Sequence, residues 1–143
     1  MGIGNFFGMM PDSMKESRLY GVELDSITGR IAKQLYPQAD VQIKGFEKTD
    51  YPNDFFDVAI GNVPFGQYKV ADKQYDKNNF LIHDYFFAKT LDKVRPGGVV
   101  AFITSKGTMD KASPVHWKRN PTTCRLCLGG TFLSVKRLNY RQR

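Results

Sequence analysis

Short apolar runs, separated by polar or Gly- and Pro-containing segments, predict four β-strands. They are RLYGVEL (18–24), VQIKG (41–45), FDVAI (56–60) and VVAFITS (99–105). The last two runs are almost continuously apolar, which is typical of strands that are buried on both faces of a sheet. Gly61 follows the third run directly and Pro64 comes three residues later, so we expect that strand to end at an exposed edge where side chains meet a ligand.

A helical period predicts the first helix over SITGRIAKQLY (26–36). Ile27, Ile31 and Leu35 recur at the spacing of one helix face, and Pro37 ends the helix. We therefore expect this apolar stripe to pack against the sheet.

A second helix is predicted from Phe80 to about Val94, after a polar loop at 67–79. Asn78 or Asn79 is suited to cap its first turn. Its apolar stripe is Phe80, Phe87, Leu91 and Val94. His83 falls on the polar side of this helix, so we expect it at the surface without a catalytic role.

The order of elements is strand, helix, strand, strand, loop, helix, strand. With continuous apolar strands, this order favours an α/β fold in which helices cover a parallel sheet. Ligands bind such sheets at the carboxyl ends of the strands. We therefore expect Glu23, the turn at 45–47 and the residues 62–65 to lie at one binding edge.

Charge separates the chain into two parts. The net charge is +7, but residues 112–143 contain seven basic residues and no acidic one, so the first 111 residues are neutral. This shift predicts a boundary near 111–114 and a basic tail over 112–143, to which no structure is assigned. Such a tail binds nucleic acid weakly and with strong salt dependence. No segment has the roughly 20 apolar residues of a membrane span or the pattern of a signal peptide, which favours a cytoplasmic protein.

Both cysteines lie in the tail, as Cys124-x-x-Cys127. This spacing supplies half of a zinc site, and no second Cys pair or close His pair completes it. We therefore expect no metal, and thiols that stay reduced. His116, also in the tail, is given no role.

Three motifs together carry a resemblance to a known family. They are Gly2-x-Gly4, an acid ending the next strand at Glu23, and Asn62-Val63-Pro64-Phe65 ending a later strand. In this order they resemble S-adenosylmethionine-dependent adenine-N6 DNA methyltransferases of the N-P-P-[YF] class, such as type I restriction modification subunits and the methylase-helicases of mobile elements. The resemblance implies a fragment: a partial, Rossmann-like class I methyltransferase domain over 1–111, with a mostly parallel sheet lacking its first strand and C-terminal elements.

The family's chemistry assigns roles to the residues of the last motif. The side-chain oxygen of Asn62 and a neighbouring backbone carbonyl accept the two N–H groups of a flipped adenine, which favours attack on the sulfonium methyl. Val63 stands where the family usually has proline and supplies its carbonyl. Pro64 fixes the turn, and Phe65 stacks on the extruded base. The resemblance thus implies DNA methylation, with DNA as the partner.

The predicted cofactor, S-adenosylmethionine, is assigned five residues by the same resemblance. Gly2 and Gly4 let the backbone approach it, Glu23 accepts its ribose hydroxyls, and Phe46 and Glu47 lie near its adenine. An alternative for Glu23 is that it only favours the helix that follows, which Asp25 or Ser26 caps.

Two other functions stay open from the sequence. One is a non-catalytic methyltransferase remnant that binds nucleic acid weakly. The other is glutamine-N5 methylation of a protein, because an amide amine fits the same acceptors. For the DNA methyltransferase a specificity or helicase module is expected elsewhere, and Lys69, Lys73 and Lys77 of the polar loop are candidate phosphate contacts. The tail is hypothesised to be out of register with an ancestral protein.

Overall fold

A computed structural model describes residues 1–104 and, as backbone, 122–128 and 131–137. The helices and strands are α1 Asn5–Gly8, β1 Tyr20–Glu23, α2 Ser26–Leu35, β2 Asp40–Ile43, β3 Phe56–Asn62, α3 Ile82–Lys93, β4 Val94–Ile103, β5 Thr122–Leu128 and β6 Thr131–Arg137. The chain divides into two compact units, Met1–Asp50 and Tyr51–Arg143. The boundary predicted near 111–114 lies outside the described residues.

In the first unit, β1 and β2 pair in parallel, from Tyr20 opposite Asp40 to Glu23 opposite Ile43. The connecting helix α2 confirms the helix predicted over 26–36. Asp25 caps it, accepting the Thr28 backbone N–H at 2.7 Å. Of the two residues predicted as possible caps, Asp25 and Ser26, Asp25 is therefore the one that caps the helix.

The apolar stripe of α2 does not face the sheet. Ile27, Ile31 and Leu35 remain 62%, 43% and 56% exposed, whereas Gly29 and Ala32 are buried. A β-carbon on Gly29 would meet the side chain of Ile43 on β2, so the helix approaches the sheet through its smallest residues. The prediction that the stripe is buried was wrong, because close approach selected the small face.

In the second unit, a four-stranded sheet has the order β3-β4-β5-β6. The first two pairings are parallel and the β5–β6 pairing is antiparallel. The edge strand β3 leaves Val58 37% and Ile60 50% exposed, so the prediction of burial on both faces was wrong for this strand. Strand β4 begins at Val94, directly after α3 and before the predicted start at 99.

Helix α3 packs over this sheet. The buried core of the unit consists of Val63, Phe87, Val94, Val100 and Phe102, with Phe56, Ala59, Phe86 and Leu91 packed against it. The helix is buried on more than one side, and His83 is only 8% exposed, so its predicted surface position was wrong.

The start of α3 also differs from the prediction. Leu81 is the residue before its first turn, and no side chain caps it. Asn79 instead adopts a left-handed backbone with φ of 55° and accepts a hydrogen bond from the Lys69 ammonium at 2.6 Å. The amide expected to cap the helix therefore stabilises the loop that precedes it.

The basic tail, to which the sequence assigned no structure, contributes strands β5 and β6 where it is described. A search for helical period could not detect these strands. None of the helices in the described part of the chain is long and apolar enough to cross a membrane.

Candidate functional site

The turn after β1 is organised around the carboxylate of Glu23. One carboxylate oxygen accepts the amino terminus of Met1 at 2.8 Å and the Gly2 N–H at 2.6 Å, and the other accepts the Asp25 N–H at 3.0 Å. Burial raises the pKa of Glu23, but these hydrogen bonds outweigh it and hold the pKa below its usual value. The group is therefore an anion at neutral pH.

Both predicted glycines of this unit have a positive φ, which explains the residue type. Gly2 has φ of 63° and Gly4 has φ of 93°. A β-carbon on Gly4 would come within 2.6 Å of the Tyr36 ring, whereas a β-carbon on Gly2 would meet no atom within 4 Å. The structure thus brings Gly2 to Glu23 by a direct hydrogen bond, while Gly4 closes the turn against Tyr36 and begins α1.

Phe46 and Glu47 lie in a short 3-10 turn at 46–48, after β2. Both are half-buried. The Phe46 carbonyl accepts the Thr49 hydroxyl at 2.7 Å, and the Glu47 carboxylate folds back over Gly45. Their role toward a cofactor stays a prediction.

The second predicted motif ends strand β3. Asn62 is exposed and lies opposite Ile103 of β4. Val63, the next residue, is 2% exposed, and its N–H donates to the Ile103 carbonyl at 3.1 Å. Val63 is therefore fixed in the core. Pro64 is half-buried and Phe65 is 56% exposed. The turn therefore anchors Val63 and presents Asn62 and Phe65 to solvent.

A second exposed ring, which sequence analysis missed, follows this motif. Tyr68 is 51% exposed, and its ring lies where a β-carbon on Gly66 would stand. Gly66 has φ of 155°, which also favours glycine. The pattern Phe-Gly-x-Tyr shortly after the strand was a usable signal for two exposed rings close together in the sequence.

The polar loop at 67–79 is also more ordered than its composition suggested. Asp72 accepts the Lys89 ammonium at 2.9 Å and the Tyr85 hydroxyl at 2.7 Å. Tyr75 is 6% exposed and its hydroxyl donates to Asp92 at 2.8 Å. Sequence analysis missed this network, although a lysine four residues after a tyrosine, inside an apolar helix, was a visible hint.

The units that hold Glu23 and Asn62 are described separately, so their shared binding edge stays a prediction. Within the described residues, no group of three or more His, Cys, Asp or Glu side chains is arranged to hold a metal ion. The side chains of Cys124 and Cys127 lie outside the described residues.

Comparison with known proteins gives one relative. The chain is 41% identical over 86 residues to "Defense against restriction protein B" of Escherichia phage P1. The match covers 57% of the chain and only 4% of that much longer protein. No family model and no solved structure matches the chain.

This relative contradicts the predicted family and function. It is named for defence against restriction and not for methyl transfer. The assignment to adenine-N6 DNA methyltransferases was therefore wrong, and the methyltransferase remnant and glutamine-N5 alternatives are not supported either. The physical reason is that Asn-x-Pro-Phe and a strand-end acid specify the local shape of two turns, which different chemistries can use. The expected link to mobile elements is consistent with a phage relative.

Proposed function

We propose that the chain takes part in protecting DNA from restriction, as one segment of a larger anti-restriction protein. The observation that carries this proposal is the 41% identity to the phage P1 protein. Because the matched segment is a small part of that relative, its role is best sought as a DNA-contacting piece of a larger assembly.

The strand end at Asn62 supports DNA as the partner. Phe65 and Tyr68 are each more than half exposed beside an exposed amide. Exposed aromatic rings stack on unpaired bases, and this stacking contributes about 1–3 kcal/mol per base. The Asn62 amide offers both a donor and an acceptor to a base edge. This combination suits a single-stranded or extruded base better than an intact duplex.

Lysines of the loop that follows fit the same partner. Lys73 and Lys77 are exposed within residues 67–79. Lysines contact phosphates as point charges and position nucleic acid without reading its sequence. We therefore assign base contact to the rings and the amide, and phosphate contact to the loop.

The Glu23 carboxylate favours a second proposed ligand, one that carries a ribose, in the first unit. A carboxylate offers about four lone-pair positions, of which three accept N–H groups of this chain. The charge of the carboxylate is paired with the Met1 ammonium, and its remaining acceptor position suits a ribose hydroxyl. S-adenosylmethionine, the cofactor predicted from the sequence, is one such ligand and stays a proposal for this place.

A plating experiment tests the anti-restriction proposal. Unmodified phage is plated on restricting and non-restricting hosts that express the chain, either wild type or with Asn62→Ala and Phe65→Ala. We expect wild type to raise plating on the restricting host and the double variant to lose this effect. Phe55→Ala, at another exposed phenylalanine, is the matched control and should behave as wild type. Equal plating with and without the wild-type chain contradicts the proposal for the chain as expressed.

A further inference from the structure

The loop at 67–79 is tied to α3 by a buried ion pair. The side chains of Asp72 and Lys89 are only 10% and 4% exposed, and their charged atoms lie 2.9 Å apart. Tyr85 donates a further hydrogen bond to the same Asp72 oxygen. A loop on the surface therefore holds its anchoring group in the protein interior.

The backbone around Asp72 is fixed as well. The Asp72 carbonyl accepts the N–H groups of Tyr75 and Asp76, both at 2.8 Å, and the Asp76 carboxylate accepts the Asp72 N–H at 2.8 Å. Asp72 also accepts the Gln74 N–H at 3.1 Å. These bonds wind the segment into a compact turn whose centre is Asp72.

The anchored loop begins at the second exposed ring. The Tyr68 carbonyl accepts the N–H of Ile82, in the first turn of α3, at 2.9 Å. Four residues later Asp72 binds Lys89 and Tyr85 of the same helix. The backbone of Tyr68 is thus held at its carbonyl, and its ring lies over Gly66, the residue that follows Phe65.

We propose that Asp72 is a positioning residue that holds Tyr68 next to Phe65, so that the two rings form a stacking platform for a nucleic-acid base. This inference rests on the DNA contact proposed above. The binding group is the pair of rings, and Asp72 acts through Tyr68 without touching the base. Lys89 lies on α3 and Asp72 in the loop, so the ion pair fixes the loop to the helix that packs on the core.

The test measures binding of a fluorescent single-stranded DNA oligonucleotide by anisotropy. We expect Asp72→Asn to weaken binding by about 5- to 150-fold, the loss that one stacked ring supplies. Tyr68→Ala should weaken it equally. The decisive variant combines the two changes: a positioning role predicts that Asp72→Asn has little further effect once Tyr68 is gone. Equal additional weakening in the Tyr68→Ala background would overturn the proposal, as would no effect of Asp72→Asn alone.

Two further variants guard against trivial results. Asp57, on the edge strand β3, forms an exposed ion pair with Arg95 of β4. Asp57→Asn breaks this pair and should leave binding unchanged. If Asp72→Asn fails to fold, Asp72→Asn with Lys89→Met removes both buried charges, which is often neutral for stability. That double variant should fold and still show the weakened binding; full binding by it would contradict the proposal.

A measurement without DNA separates this inference from the proposed function. Amide hydrogen exchange should quicken at residues 66–81 in Asp72→Asn and stay unchanged in β3 and β4. If exchange is faster but DNA binding is unchanged when Phe65 or Tyr68 is replaced, the proposed DNA contact is overturned. The anchoring role of Asp72 then still stands. Unchanged exchange at 66–81 would overturn the anchoring role itself.

Discussion

The turns after β1 and β3 both follow a parallel strand, yet they differ in which of their side chains are exposed. After β1, the Glu23 carboxylate is already bound by the chain's own amino terminus and two backbone N–H groups. After β3, Asn62 and Phe65 are exposed, Val63 between them is buried, and the loop that follows is anchored by the Asp72–Lys89 pair. Two strand ends of the same kind therefore differ in which polar and aromatic side chains are exposed, and the side chains exposed after β3 indicate the kind of partner.

The largest expected effect concerns the buried ion pair between Asp72 and Lys89, which anchors the loop at 67–79 to α3. Lys89→Met leaves Asp72 buried without its cation, and breaking a buried ion pair in this way costs about 3–5 kcal/mol. Urea unfolding followed by circular dichroism measures the free energy of unfolding. A loss below about 1 kcal/mol, typical of exposed pairs, would show that the pair does not support the loop.

The glycines of the first turn give a smaller effect. Gly4→Ala should lower the free energy of unfolding by about 1–3 kcal/mol, because φ of 93° is strained for alanine and the Tyr36 ring must move. Gly2→Ala meets no neighbour and should cost only about 1 kcal/mol. The same urea titration compares the two variants, and an equal loss would contradict the packing of Tyr36 on Gly4.

Acid should weaken the anchoring of the loop at 67–79, because it protonates Asp72. Burial raises the pKa of Asp72, but the hydrogen bonds from Lys89 and Tyr85 outweigh it and lower the pKa below 3.8. The stability it contributes is therefore complete above pH 3.8 and lost as the pH falls through the lowered pKa. The urea midpoint should fall with pH in that window, and Asp72→Asn should flatten the fall.

The smallest expected effect concerns ligand binding by the first turn. Glu23→Gln removes the negative charge and should weaken binding of adenosine or S-adenosylhomocysteine, measured by calorimetry, by up to about tenfold. Glu16→Gln, at an exposed glutamate, is the matched control. Equal binding by both variants would contradict a ribose contact at Glu23. Absence of binding by wild type would leave the carboxylate as an anchor for the amino terminus.

The sequence allowed the local elements of the described core to be predicted well. Turn residues and period placed α2 and the four strands of residues 1–104, because Pro37 and Asp25 act through local backbone geometry, although β3 continues through Gly61 to Asn62. Burial was less predictable: Gly29 and Ala32, not the isoleucines, face the sheet, and His83 is buried. These outcomes depend on distant packing partners, which periodicity does not report.

The candidate site was predictable in position and not in chemistry. Residues 62–65 do lie at a strand end, but the Tyr68 ring and the Asp72–Lys89 pair depend on a loop folding back onto α3, which no local pattern encodes. The predicted methyl transfer failed for a related reason: a motif specifies a turn, whereas the reaction depends on what surrounds it.

Photochemical crosslinking tests most directly the claim that the exposed turn after β3 contacts DNA. A single-stranded oligonucleotide carrying bromouracil is irradiated with the chain, and the crosslinked peptides are identified by mass spectrometry. The account predicts crosslinks at Phe65 and Tyr68 that disappear with an excess of unlabelled oligonucleotide. Crosslinks confined to the basic residues of 112–143, with none at 62–68, would contradict it.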